Sequence, residues 1–246
     1  LDRGKVQVGT GSTNPPWHFE DENGKLVGMD IEMGKILSRA LFQGDDSKVD
    51  FVVHEANARI PDLLAGKVDI NYQFMTVTAA RALQVEFSIP YYREGVTLLL
   101  PAGSPYKTTA DLTGKGLTIA ILQNPTAEDM VHRGVKDAKV QQYPSVDESV
   151  QAMLSGRVDA TAIDLSSGRW FTAKEPNKYT TTSDAWDAQT YAASVAPGDQ
   201  IWLNFVNTAM HEAMVGLDFP SYQAAFKTYF GIDLPTPPTG FPVEYK

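Results

Sequence analysis

Leu63-Leu64-Ala65-Gly66-Lys67-Val68-Asp69-Ile70 returns further along the chain as Met153-Leu154-Ser155-Gly156-Arg157-Val158-Asp159-Ala160. Each copy reads as the end of a helix, a glycine, a basic residue, Val-Asp, and the start of a strand. Glycine suits the junction because it takes the left-handed conformation that ends a helix with no penalty from a Cβ atom. Helix-Gly-strand junctions are common in α/β proteins. Gly-basic-Val-Asp at the same place in both halves is less so, and it points to two similar lobes.

Outward from the first copy, residues 6–10 read as a buried strand that opens into a Gly- and Pro-bearing turn over 11–16. Gly28 precedes a helix for which Asp30 is the expected N-cap. Its apolar face is Met33, Ile36, Leu37, Ala40 and Leu41. Residues 49–54 alternate as a strand. Ile60, Leu63 and Leu64 mark a short helix that tolerates Pro61 in its first turn and stops at Gly66. Residues 68–70 are the next strand, Thr78 the expected cap of a short helix through Leu83, and residues 85–92 are extended. Around the second copy the order recurs: strand 117–121, helix 126–135, strand 140–143, a helix marked by Val146, Val150, Met153 and Leu154, and strand 158–163. Such alternation is the signature of a wound α/β layer.

Residues 93–105 lie between the halves and carry Val96-Thr97-Leu98-Leu99-Leu100, then Pro101, Gly103 and Pro105, as a crossing between lobes would. Residues 190–195 read as a strand ended by Pro197-Gly198. A long helix with Ile201, Phe205, Ala209 and Met214 on or near one face follows, then a second with Tyr222, Phe226 and Tyr229, then a Pro-rich tail over 234–242. If these helices fold back on the first lobe, the chain crosses twice. Two antiparallel crossings make a hinge, and a hinge over a cleft is a ligand trap. The expected division is 1–94 for the first part of lobe 1, 95–190 for lobe 2, and 191–246 for the return to lobe 1.

The 246 residues, 43% hydrophobic and 21% charged, have room for two lobes with buried cores. A net charge of -9 with scattered Lys and Arg argues against a nucleic-acid partner. The longest apolar runs fall far short of the ~20 residues that span a bilayer. A chain opening on Leu1-Asp2-Arg3 leads directly into a strand-like run, so an exported protein is expected to have lost its signal peptide. The absence of cysteine excludes disulfides and thiolate metal sites. His18, His54, His132 and His211 stand apart with no metal-binding spacing, and neither metal nor cofactor is expected.

Several pieces then occur in one order: Pro15-Pro16-Trp17-His18-Phe19; Gly24-Lys25-Leu26-Val27-Gly28-Met29-Asp30-Ile31; Ile60-Pro61-Asp62-Leu63-Leu64-Ala65-Gly66; Thr76-Val77-Thr78-Ala79-Ala80-Arg81; Val85-Glu86-Phe87-Ser88-Ile89-Pro90-Tyr91-Tyr92; and Gly156-Arg157-Val158-Asp159-Ala160. Together they cover nearly the whole chain, which resembles the bacterial extracellular solute-binding proteins of family 3, the periplasmic polar-amino-acid and opine binding components of ABC importers. The resemblance implies an α/β, two-lobed, type II periplasmic-binding-protein (Venus flytrap) fold with two crossing hinge strands. It implies a non-enzymatic periplasmic monomer that closes on a small zwitterionic ligand and docks on an inner-membrane ABC permease. Carried over by motif, Arg81 and Thr76 would anchor the ligand carboxylate, Asp164 its ammonium, and Thr126 would offer a hydroxyl and backbone N–H groups. This chain departs from the family pattern at Asn14, where an aromatic usually precedes Pro-Pro, and at Ala56 and Asn57, near a second usual aromatic. It also departs at Asn124-Pro125-Thr126 and at Gln73-Phe74-Met75, where a small glycine is usual. These departures imply a roomier, more polar pocket suited to a substituted amino acid such as an opine.

The residue chemistry fits, with ordinary alternatives beside it. A guanidinium matches a carboxylate with two parallel hydrogen bonds, although an Arg on a helix face is often simply solvated. Asp164 ends an apolar strand, where clefts of open α/β sheets form, and can equally cap the helix starting near Leu165. Thr126 opens a helix whose N–H groups favour an anion, or merely caps it. Asn14 and Gln73 can bond a hydroxylated ligand or satisfy a turn. Trp17 can stack on a ligand or pack in the core; Phe74 and Met75 can line the pocket or fill it. Two other classes remain open: a dehydratase-like enzyme on cyclic carboxylic acids and the sensing domain of a receptor. An enzyme needs a placed acid or base, and the sequence beside Asp164 shows no second carboxylate or histidine, with His18 the one candidate acid.

Overall fold

The computed structural model describes residues 3–240. Residues 1–2 and 241–246, which include the start of the amino-terminal run and the end of the Pro-rich tail, lie outside the described residues. The first sheet has five strands in the order Val49–Val53, Val6–Thr10, Ile70–Asn71, Ser194–Val195, Glu86–Phe87. Its first three strands are parallel and Ser194–Val195 runs against both of its neighbours. The second sheet runs Lys139–Tyr143, Thr118–Leu122, Ala160–Asp164, Tyr92–Pro101, Tyr179–Thr181, with Trp186–Tyr191 also paired to Tyr92–Pro101. Again the first three strands are parallel and the next is antiparallel. Each sheet therefore places its earliest parallel strand between the other two, which is the repetition the sequence echo anticipates.

The echo has a physical cause. Gly66 and Gly156 both take positive φ, 70° and 74°. Just beyond them the Asp69 carboxylate accepts the Gln7 N–H at 2.8 Å, and the Asp159 carboxylate accepts the Thr118 N–H at 2.8 Å. The backbone returns both bonds, Asp69 N–H to Gln7 O and Asp159 N–H to Thr118 O, each at 2.8 Å. Each Val-Asp pair thus clasps the start of the neighbouring strand and sets its register.

Helices Met29–Leu41, Gln200–Val215 and Phe219–Phe230 pack on the first sheet around a core that includes Val8, Met33, Leu37, Ile70, Val206, Met210 and Phe226. The carboxyl-terminal helices do return to the first lobe. Ile201, expected near the packed face, is instead 84% exposed. The second sheet is covered by Ala127–Gly134 on one face, and by Val146–Leu154 and Leu165–Lys174 on the other.

The expected strand over 190–195 is two pieces, Trp186–Tyr191 and Ser194–Val195, each in a different sheet. The first of these and Tyr92–Pro101 are the crossing strands. They pair antiparallel at Gln189–Glu94, Thr190–Arg93 and Tyr191–Tyr92, with a register shift after Trp186. Asp187 sits in that shift at φ 51° and holds Arg133 through carboxylate–guanidinium bonds of 2.7 and 2.8 Å.

Asp30 is not an N-cap. The helix starts at Met29 with Gly28 as its cap, and Asp30 is fully buried inside the first turn. Its carboxylate accepts the Tyr91 hydroxyl at 2.8 Å and the Phe74 N–H at 3.0 Å, and bonds His18 Nδ1 at 2.8 Å. Burial lowers the pKa of His18, and the ring packs between Asp30 and Phe74. No helix among the described residues is long and apolar enough to cross a membrane.

Candidate functional site

Between the lobes lies a cavity of about 180 Å³. The first lobe lines it with Asn14, Arg59, Phe74, Thr76 and Arg81; the second with Asn124, Thr126, Ser149 and Asp164; the crossing strand with Gln189 and Tyr191. The carboxyl ends of Thr118–Leu122 and Ala160–Asp164 point at it, as expected for open α/β sheets.

Arg81 is held from both ends. Thr78 caps the short helix Ala79–Ala82 by accepting the Arg81 N–H at 3.3 Å. The guanidinium Nη1 donates to the Thr76 carbonyl at 2.7 Å, which leaves the rest of the fork for an anion. Thr76 in turn donates its hydroxyl to Gln189 Oε1 at 3.1 Å. One residue thereby links the anchor to the hinge strand.

Asp164 sits at the N-cap position of Leu165–Lys174, yet its side chain makes no capping bond. The carboxylate therefore faces the cavity, beside the Tyr191 hydroxyl and within the field of Arg59. Burial pushes its pKa up, while Tyr191 and Arg59 pull it back. A second carboxylate does stand near it, which corrects the sequence reading: Glu94, from the crossing strand. Burial and the charge of Asp164 raise the Glu94 pKa. Glu94 does not line the cavity. It accepts the Gly95 N–H at 2.9 Å and the Ser166 hydroxyl at 2.5 Å. It is a buried acid that ties the crossing strand to the start of Leu165–Lys174.

Thr126 opens Ala127–Gly134 without a side-chain capping bond; its hydroxyl donates to Asn124 Oδ1 at 2.9 Å. Asn14 is buried at the cleft floor with Nδ2 unpartnered among the described residues. A smaller chamber of about 40 Å³ adjoins it, lined among others by Asn14, His54, Ala56, Gln73 and Phe74. Within it Gln73 Oε1 and His54 Nε2 are also buried without partners. A cavity of that size with several convergent polar atoms holds a water or a small polar substituent.

Three of the expected residues are not brought to the cleft. Trp17 is fully buried, donates Nε1–H to Ser166 Oγ at 2.9 Å, and sits edge-on to Tyr92 and Phe230. It is a core strut between the lobes, because the Pro-Pro turn carries it inward. Met75 is buried and lines neither chamber. Asn57 is exposed and lines neither.

The aromatic wall expected to be missing is supplied from elsewhere. Phe74 lines both chambers, stacks on His18 with ring centroids 4.7 Å apart, and holds a positive φ of 36°. Arg59 escaped the sequence reading. It shares the buried face of Arg59–Leu64 with Leu63, and that i, i+4 pairing with an apolar residue was the available signal.

Two sheets hinged by two paired crossings, with groups of opposite charge on either side of one cavity, define a binding protein that closes on its ligand. The chain belongs to the bacterial extracellular solute-binding proteins, family 3, which it matches over residues 6–232. It is similar to the L-cystine-binding protein TcyJ of Escherichia coli (strain K12), 25% identical over 235 residues that cover 95% of this chain and 85% of the relative. It is also similar to the ABC transporter arginine-binding protein 1 of the same organism, 26% identical over 84% of each chain. Among solved structures, an ancestral arginine-binding protein bound to arginine has a TM-score of 0.82 at 32% identity, covering 93% of this chain and 99% of that one. The ancestral amino acid-binding protein AncCDT-1, a precursor of cyclohexadienyl dehydratase, has a TM-score of 0.82 at 28% identity, covering 93% and 96%. The protein is thus an extracellular solute-binding protein of that family.

Proposed function

We propose that the chain captures an amino-acid-derived zwitterion between residues 1–94 with 191–246 on one side and 95–190 on the other, and presents it to an ABC permease as a periplasmic monomer. The observation that carries this is the common cavity of Arg81 and Asp164, one from each lobe. Arg81 with Thr76 receives the ligand carboxylate, and Asp164 receives the ammonium. The N–H groups at the start of Ala127–Gly134 add donors to the carboxylate. A bridged ligand joins groups that the open cleft holds apart, so it binds the closed state better and shifts the population toward it. The side chamber with unpartnered Asn14, Gln73 and His54 atoms favours a ligand with a polar substituent, as an opine has, over an unsubstituted small amino acid.

Native mass spectrometry of the purified protein, followed by calorimetry with the mass-matched compound, tests the reading. A co-purified amino-acid derivative displaced from Arg81→Met and Asp164→Asn variants is expected. A neutral, non-zwitterionic ligand, or full binding by both variants, refutes it.

A further inference from the structure

Arg59 is only 6% exposed and lines the same cavity as Arg81. Its Nε donates to the Ala56 carbonyl at 2.8 Å and its Nη1 to the Gln73 carbonyl at 3.0 Å. Those two bonds fix the plane of the guanidinium. Nη2 has no hydrogen-bond partner among the described residues, nor does the group form an ion pair there. One further contact holds it: the guanidinium lies 5.6 Å from the centroid of the Phe74 ring. A buried cation with no countercharge paired to it carries a desolvation cost that a paired anion would offset.

None of the charges facing it pairs with it among the described residues. Asp30 is a buried carboxylate of the first lobe whose field reaches Arg59, but it forms no ion pair with the guanidinium, and its oxygens bond Tyr91, His18 and the Phe74 amide. Arg133 and Asp187 satisfy each other. Of the charged groups that line the cavity and have no ion-pair partner among the described residues, two are guanidinium groups, Arg59 and Arg81, and one is a carboxylate, Asp164. A ligand with one carboxylate and one ammonium pairs Arg81 and Asp164 and strands Arg59 in a closed, water-poor cleft. Consistent with this surplus, burial and the neighbouring charge of Arg81 push the Arg59 pKa down to about 9, which still leaves it cationic at neutral pH.

We propose that Arg59 seats a second carboxylate, and that the ligand class is an amino acid with two carboxylates and an α-ammonium. The inference rests on the zwitterion-trap reading above and narrows it. The second carboxylate meets Nη2 along the Phe74 face, while the ligand's α-carboxylate stays on Arg81.

Calorimetry on ligand-stripped protein with matched pairs tests this: aspartate against asparagine, glutamate against glutamine, and octopine (arginine with an N-carboxyethyl group) against arginine. In at least one pair the dicarboxylate is expected to bind about 10- to 100-fold tighter, the range of one charge-assisted hydrogen bond. Arg59→Met should close that gap to within about threefold, and Arg59→Lys should restore part of it, since Lys keeps the charge and loses the fork. If every monocarboxylate partner binds as tightly as its dicarboxylate in the unaltered protein, the assignment of Arg59 is wrong, whatever its variants do. If a dicarboxylate preference survives Arg59→Met, the second carboxylate sits elsewhere and the assignment is equally wrong. Loss of binding in Arg81→Met alongside either result leaves the trap itself intact. If no member of any pair binds and Arg81→Met changes nothing, the underlying reading fails as well.

Discussion

Replacing Phe74 by glycine and by alanine separates the backbone of this residue from its ring. Phe74 holds a φ of 36°, a region that costs a residue with a Cβ atom roughly 1–2 kcal/mol. The ring is half-buried between His18, Tyr191 and Arg59. Full truncation of a core Phe costs about 3–5 kcal/mol, so half that, about 2 kcal/mol, is reasonable here. Phe74→Ala loses the ring and keeps the backbone penalty, for a loss of about 2 kcal/mol. Phe74→Gly loses the same ring, regains about 1–2 kcal/mol of strain, and gives back about 0.5–1 kcal/mol to the freedom of the unfolded chain. The glycine variant should therefore be the more stable of the two by about 0.5–1 kcal/mol. At roughly 2–4 °C per kcal/mol for a chain of this size, that is about 1–4 °C in Tm. Urea denaturation monitored by tryptophan fluorescence, with equal slopes for the variants, reads the order directly. An alanine variant as stable as the glycine variant or more so would refute the claim that strain is stored at this position. Phe74 lines both chambers, so both variants should merge them and admit bulkier side chains, while Arg81 and Asp164 keep their places and Arg59 loses its ring contact.

Other consequences are open to measurement. Arg81→Lys should weaken ligand binding by about tenfold or more in calorimetry, because a single ammonium cannot reproduce the paired contact; unchanged affinity would remove Arg81 from the site. Burial holds the Glu94 carboxyl above its ordinary value of 4.5. The unfolded chain therefore releases this proton at lower pH than the folded one, and stability falls as pH rises above about 4.5. Glu94→Gln should flatten that fall, with a stabilising difference in Tm that grows from pH 5 to pH 8; a difference constant with pH contradicts the raised value. Because Asp164 must be ionised to hold an ammonium and its pKa is raised, ligand affinity should drop as pH is lowered from 7 to 5, and Asp164→Asn should remove most of that dependence. Asp69→Ala and Asp159→Ala should each lower stability by about 1–2 kcal/mol and add in the double variant, since they clasp different sheets; strong non-additivity in urea melts would show that the two clasps are coupled.

What the sequence revealed and what it hid follow the range of the interactions. The junctions at Gly66 and Gly156 were legible because the left-handed helix end is a local device, decided within a few positions, whereas the Asp clasps beside them join residues 62 and 41 positions apart and show only in the fold. Arg81 and Asp164 were legible through the motifs around them, and the structure brings both to one cavity. Trp17 was ambiguous because its direction depends on the aromatic cluster of Tyr91, Tyr92, Tyr191 and Phe230, drawn from three distant segments. Glu94 was hidden because it belongs to the crossing strand and meets Asp164 only when Ala160–Asp164 pairs beside it. Asp30 looked like a cap because short acids near helix starts usually are caps. Only the folded chain supplies the three donors that draw it inside. Arg59 was the costliest miss: on a six-residue helix a charged residue reads as solvent-facing, and beyond its spacing with Leu63 nothing local says that the Ala56 and Gln73 carbonyls hold it inside.

The two crossing strands lie side by side and bond each other from Tyr92 and Tyr191 onward, and the Trp17–Ser166 strut sits close to where they leave the first sheet. Such a joint bends easily about one axis and resists twist and slide. The opening of the cleft is then described by a single angle. On such a joint, ligands of different shape would draw the molecule toward one closed outline, and a transporter reading that outline would learn that cargo is aboard and nothing about which cargo. Selectivity must be settled inside the cleft before docking, by side chains the transporter never touches.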